Sequence, residues 1–153
     1  AFGGALGLIS CCDIAVAATT ANFALSEVKI GLVPATISPY VIAAIGEPYA
    51  KRYFITAERF DASTALQMGL VHETVEEQLL DKKIEQLVTS VLSNGPEAVA
   101  AAKQLISKVS GEAIDSTLIE HTCEVIAGIR VSTQGQEGLS AFLGKRKPNW
   151  LKD

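Results

Sequence analysis

Gly3 and Gly4 stand at the head of a short helix-like stretch, and Glu27 stands where an extended segment gives way to a loop. A helix leaves its first N–H groups without partners of its own, and adjacent glycines let such groups come close to a ligand oxygen. A carboxylate within reach adds a proton carrier to that oxyanion donor. Either feature alone is commonplace, since most Gly-Gly pairs are tight turns and most loop glutamates are solvated. Glu27 differs in its company: Leu25, Val28, Ile30, Leu32 and Val33 flank it, which predicts a poorly hydrated carboxyl group suited to acid/base work.

The other reactive residues form weaker patterns. His72 and His121 have no acidic or cysteine partner at a recognisable spacing and read as structural or surface groups. Cys11, Cys12 and Cys123 show no metal-ligand spacing, so no metal is expected. Their odd number argues against a complete disulfide set, and Cys11 and Cys12 are expected to pack as small apolar residues on a buried helix. Lys145-Arg146-Lys147 is the only basic cluster.

These candidates need elements to hold them. Strands are expected over 13–17 and 21–25, either side of Thr19-Thr20, delivering Glu27 to the rim of a sheet. A Pro/Gly-punctuated pair of helices follows from Ser38 to Thr56. Asp61 reads as the N-cap of a helix over 62–68, which Gly69 stops before a strand over 70–75. From Glu76 to Ser93 apolar residues recur at three- and four-residue steps, Leu80, Ile84, Leu87, Val88 and Val91 among them, the pattern of an amphipathic helix. Asn94-Gly95-Pro96 ends that helix and opens one reaching Gly111. Two more are expected over 113–129 and 133–144. No repeat, low-complexity tract or flexible linker is visible.

Composition narrows the partners. The chain's 153 residues are 48% hydrophobic and 20% charged, the balance of a folded domain with a core. A net charge of -4 gives no basic face for nucleic acid. No apolar run reaches the roughly 18 residues that a bilayer crossing needs, so no membrane partner is expected. The cysteine usage fits a reducing, cytoplasmic compartment.

The order of the motifs resembles the crotonase family, the enoyl-CoA hydratases and isomerases. It is carried by Gly3-Gly4, Cys12-Asp13-Ile14-Ala15, Ser26 to Pro34, Gly46-Glu47-Pro48, Thr56 to Ala62, Ala65 to Val71, Asn94-Gly95-Pro96 and Glu137 to Pro148. The resemblance implies an α/β fold with a crotonase-like spiral ββα core and a C-terminal α-helical region. Residues 1–75 would be the C-terminal part of that core, and residues 76–153 the oligomerisation and CoA-contacting region of a homo-trimer or hexamer. It also implies roles: Gly4 donates its N–H to the thioester oxygen, and Glu27 is the general acid/base. Gly3, Gly7, Ser26 and Leu32 would shape the substrate pocket, with Phe142 and Lys145 at the CoA adenine and phosphates. The partner is an acyl-CoA thioester, with no separate cofactor. The chain reads as the C-terminal half of such an enzyme, so an N-terminal half or complementary chain is expected to supply the first oxyanion N–H.

Two positions depart from the pattern. Gly7 stands where many family hydratases carry a second glutamate, and Pro34-Ala35-Thr36-Ile37-Ser38 replaces a run of glycines. Hydration of a 2-enoyl-CoA is the leading expectation. The residues from Ala24 to Ile42 look most like bacterial 3-methylglutaconyl-CoA hydratases, which implies leucine or isoprenoid catabolism. A Δ3,Δ2-enoyl-CoA isomerase and a non-catalytic acyl-CoA-binding subunit stay open as alternatives.

Overall fold

Leu6 and Val41 from two helices and Leu25 from the loop after a strand are withdrawn from solvent, and they meet because each segment buries one apolar side. In a computed structural model, which describes residues 1–151, the chain forms two units, Ala1–Glu85 and a second that begins at Gln86.

The first unit starts with α1 (Gly4–Ser10) and β1 (Val16–Ala18), followed by β2 (Asn22–Phe23) and a one-turn 3-10 helix, Glu27–Ile30. Next come α2 (Ser38–Thr56), β3 (Phe60–Asp61), α3 (Ala62–Met68) and β4 (Glu73–Val75). β1 pairs in parallel with β4, Val16 opposite Glu73, and β2 pairs antiparallel with β3, Phe23 opposite Phe60. The strands are shorter than the sequence predicts: β1 and β4 find ladder partners only at the C-terminal end of the expected runs, β1 reaching one residue past it. At one end of the β1–β4 pair His72 continues the pairing with backbone and side chain: its backbone N–H donates to the Ala15 carbonyl at 2.8 Å, and the Ala15 N–H donates to its ring Nδ1 at 3.0 Å. His72 therefore has a structural task, extending the ladder by one residue.

α2 is broken as its sequence demands. Pro48 lacks the N–H that a continuous helix needs and crowds the preceding turn, and Gly46 absorbs the break at φ 76°, ψ 160°. α3 is bounded as expected, with the Asp61 carboxylate accepting from the Thr64 N–H at 2.8 Å and Gly69 ending it at φ 83°. Phe23 stacks on Phe60 with ring centres 5.5 Å apart, and Tyr53 meets Phe60 at 4.5 Å.

The second unit is helical. A 3-10 turn at Glu77–Leu79 and the start of α4 (Leu80–Leu92) close the first unit; the second takes the rest of α4, then α5 (Pro96–Val109), α6 (Ser116–Val131) and α7 (Thr133–Leu143). The start of α6 lies three residues beyond the expected one because Asp115 caps it, accepting from the Leu118 N–H at 2.9 Å. Gln134 on α7 caps α5 across space, its Oε1 accepting from the Glu97 and Ala98 N–H groups at 2.9 and 3.1 Å. Gly95 leaves the room for that oxygen, since a Cβ there would stand 2.5 Å from it. Among the described residues no helix is long and apolar enough to cross a membrane.

Candidate active site

The chain runs from Ala1 to Gly3 as an extended segment beside β2, bridging Phe2 to Ala24, with the Gly3 N–H donating to the Ala24 carbonyl at 2.9 Å. Gly3 then turns it into α1 at φ 54°, ψ -125°, a conformation open to glycine and strained for any other residue. Gly4 follows as the first helical residue. Among the described residues its N–H has no acceptor, and a Cβ on Gly4 would meet nothing within 4 Å.

Glu27 reaches this turn from the other side. It opens the 3-10 helix that Gly31 closes at φ 75°, and its side chain lies against the Gly3 α-carbon. A Cβ on Gly3 would sit 3.3 Å from Glu27 Oε1. Glu27 Oε2 is buried and has no hydrogen-bond partner. A buried polar atom left unpaired costs about 1–3 kcal/mol, so such an atom in a folded protein calls for an explanation, and a ligand is one. The arrangement offers an unpartnered N–H and an unpartnered carboxylate oxygen at one turn. Chemically, that can stabilise a developing oxyanion and move a proton next to it.

The structure brings Gly3, Gly4 and Glu27 together and distributes the other sequence-predicted residues differently. Ser26 is half-buried directly before Glu27, and its carbonyl accepts from the Lys29 N–H at 3.1 Å. Leu32 is 59% exposed, its N–H donating to the Glu27 carbonyl at 3.1 Å. Val28, Ile30 and Val33 are exposed as well, so the dry enclosure expected from the residues after Glu27 is not built by them. Oε2 is nonetheless buried in a unit where only Leu25 of that set is fully enclosed. Gly7 is buried, and Ile37 occupies the space that a side chain at Gly7 would take.

Phe142 and Lys145 lie in the second unit. Phe142 is 80% exposed near the end of α7, and Lys145 falls beyond that helix, at φ 49° after Gly144. Arg146, the next residue of the basic cluster, is committed to a carboxylate: its guanidinium donates to both Glu137 carboxylate oxygens, at 2.6 and 2.8 Å. Those bonds hold the Glu137 carboxyl at about 2, helped by the Asn149 N–H and opposed by partial desolvation. His121 lines a cavity of about 380 Å³ between α5 and α6, beside Glu124 and Lys108. Cys11 and Cys12 are exposed, correcting the expectation of buried packing, because α1 ends at Ser10.

The two departures from the family pattern, Gly7 and the segment Pro34 to Ser38, meet here through Ile37. The signal that could have linked them is that a missing side chain and an added one occur together in one site.

Comparison with known proteins bears on this geometry. The family profile described as enoyl-CoA hydratase/isomerase matches residues 1–153. A Legionella pneumophila protein, assigned in its crystal structure to the enoyl CoA hydratase/isomerase (crotonase) group, superposes with a TM-score of 0.96 at 49% identity. It is matched over 99% of this chain and 58% of its own. The crotonyl-CoA hydratase of Syntrophomonas wolfei is 32% identical over 99% of this chain and 58% of its own length. The methylmalonyl-CoA decarboxylase of Escherichia coli is equally similar, 32% identical over 98% of this chain and 58% of its length. The chain spans about half the length of the curated relatives it matches first.

Proposed function

This chain belongs to the enoyl-CoA hydratase/isomerase family, the crotonases, and from that premise we propose that its protein adds water across the double bond of a 2-enoyl-CoA thioester. The observation that carries the reading is Glu27 Oε2, buried without a partner beside the turn that presents the Gly4 N–H. In the proposed step the Glu27 carboxylate takes a proton from water while the water oxygen bonds to C3 of the enoyl chain. The π electrons move to the thioester oxygen, which the Gly4 N–H helps to stabilise as an enolate. The Glu27 carboxyl then returns its proton to C2, and the carboxylate is restored. One carboxylate thus serves both half-reactions.

Relatives named as hydratases support this reaction class. The branched 3-methylglutaconyl-CoA substrate rests on the sequence resemblance, as do trimeric or hexameric assembly through the helical region and contact of Phe142 and Lys145 with CoA. The second reading, a Δ3,Δ2-enoyl-CoA isomerase, is favoured by one specific observation: Ile37 fills the place at Gly7 where a second carboxylate could hold water. Turnover of 2- and 3-enoyl-CoA esters in heavy-oxygen water separates the two. Hydration places one solvent oxygen in the acyl chain, and isomerisation places none there.

A further inference from the structure

Gly7 lies one turn along α1 from Gly3, and its missing side chain is matched by a neighbour that fills the gap. A Cβ built on Gly7 would overlap the Cγ2 methyl group of Ile37 and stand 2.7 Å from the Ile37 Cβ. The two positions share one volume, which holds either a side chain on residue 7 or the isoleucine, not both. Gly3 caps α1 at φ 54° and Gly7 lies one turn on, so the two glycines bound the first turn of one helix: Glu27 Oε1 covers the first and Ile37 the second.

The isoleucine is held firmly. It is half-buried, packed against the core of the first unit, and it precedes α2, its carbonyl accepting from the Val41 N–H at 3.0 Å. The turn before α2 is fixed by the Ser38 hydroxyl and N–H, which both donate to the Ala35 carbonyl, at 2.9 and 3.3 Å. A β-branched side chain on so constrained a backbone has little rotamer freedom. The result is a rigid apolar surface one turn along α1 from the glycine that Glu27 covers, in the place where a longer or polar side chain on Gly7 would otherwise stand.

We infer that Ile37, seated on Gly7, is the residue that selects the acyl chain, its side chain setting how much branching at C3 can lie beside Glu27. The inference rests on the reading of Glu27 as the acid/base. It gives the two departures from the family pattern one physical cause, because glycine at 7 makes room for the isoleucine and the isoleucine closes the room again.

The test uses the native full-length protein with Ile37→Ala, Ile37→Val, and Gly7→Ala combined with Ile37→Ala, each checked by a thermal melt. The readout is the ratio of kcat/KM for the branched 3-methylcrotonyl-CoA to that for linear crotonyl-CoA. Dissociation constants of the saturated 3-methylbutyryl-CoA and butyryl-CoA read the same preference without turnover. Ile37→Ala is expected to move both ratios about tenfold toward the branched ester, the scale of discrimination that small apolar groups provide. Returning a Cβ at residue 7 in the double variant should bring the ratios most of the way back, which a merely structural role would not do. Ile37→Val carries the same test with a smaller shift where the alanine variant does not fold. A folded Ile37→Ala protein with parental ratios overturns the inference. Should Glu27→Gln keep full turnover, the acid/base reading fails instead, and the two binding ratios still decide the role of Ile37.

Discussion

Replacing Gly3 and Gly4 one at a time by alanine should separate folding from chemistry at adjacent positions. At Gly3 the backbone sits at φ 54°, ψ -125°, and alanine there is strained by about 1–3 kcal/mol. Its methyl group would also stand 3.3 Å from Glu27 Oε1, tighter than ordinary contact, so the carboxylate must shift by a few tenths of an ångström. For a chain of this size 1 kcal/mol corresponds to about 2–4 °C in Tm, so a drop of about 2–12 °C is expected. Misplacement by a whole ångström can cost about a hundredfold in rate, and this smaller shift should lower kcat about tenfold. At Gly4 the φ is not positive and a Cβ meets no protein atom within 4 Å. Gly4→Ala should therefore leave the Tm unchanged or raise it, by up to about 1 kcal/mol of stability. It should still lower kcat/KM, because the new methyl group occupies the open space through which a thioester oxygen reaches the N–H. Thermal melts by circular dichroism and steady-state hydration of an enoyl-CoA read both quantities. A Gly3→Ala protein as stable as the parent, or a Gly4→Ala protein with parental kcat/KM, refutes the geometry assigned to this turn.

Two further predictions concern the helical unit. A Cβ on Gly135 would overlap the Ile129 carbonyl oxygen and approach that of Arg130 to 3.2 Å, so Gly135→Ala should destabilise the α6–α7 junction by about 1–3 kcal/mol, read as earlier loss of helix in denaturant. Glu137 is depressed from 4.5 to about 2 by Arg146, so its stabilising effect is full above pH 4.5 and is lost as the pH falls toward 2. Glu137→Gln should remove that part of the acid dependence, and an unchanged melting profile between pH 4.5 and 2 would contradict it.

Features with local causes were the legible ones. Asp61 and Gly69 bound α3 because capping and left-handed closure are properties of single residues. Gly46 and Pro48 break α2 for the same reason. Gly3, Gly4 and Glu27, each commonplace alone, stood out through the order of motifs that resembles the crotonases. Strand ends were less legible, since β1, β2 and β4 stop where their partners stop and a partner is a long-range fact. Hydrophobicity alone did not say which way Val28, Ile30 and Val33 face, nor that α1 would end in time to expose Cys11 and Cys12. The Gly7–Ile37 contact joins residues 30 positions apart, and no period or motif in the chain announces it. His72 was read as a structural or surface group, and its hydrogen bond with Ala15 needed the β1–β4 pairing to be seen.

The central claim is that the Glu27 carboxylate moves protons beside the Gly4 N–H. Glu27→Gln keeps the shape and removes the base, so the most direct measurement is kcat of that variant in the native protein alongside its affinity for a saturated acyl-CoA. The account predicts a kcat lower by about 10²–10⁴ with affinity little changed. Turnover at the parental rate would contradict it.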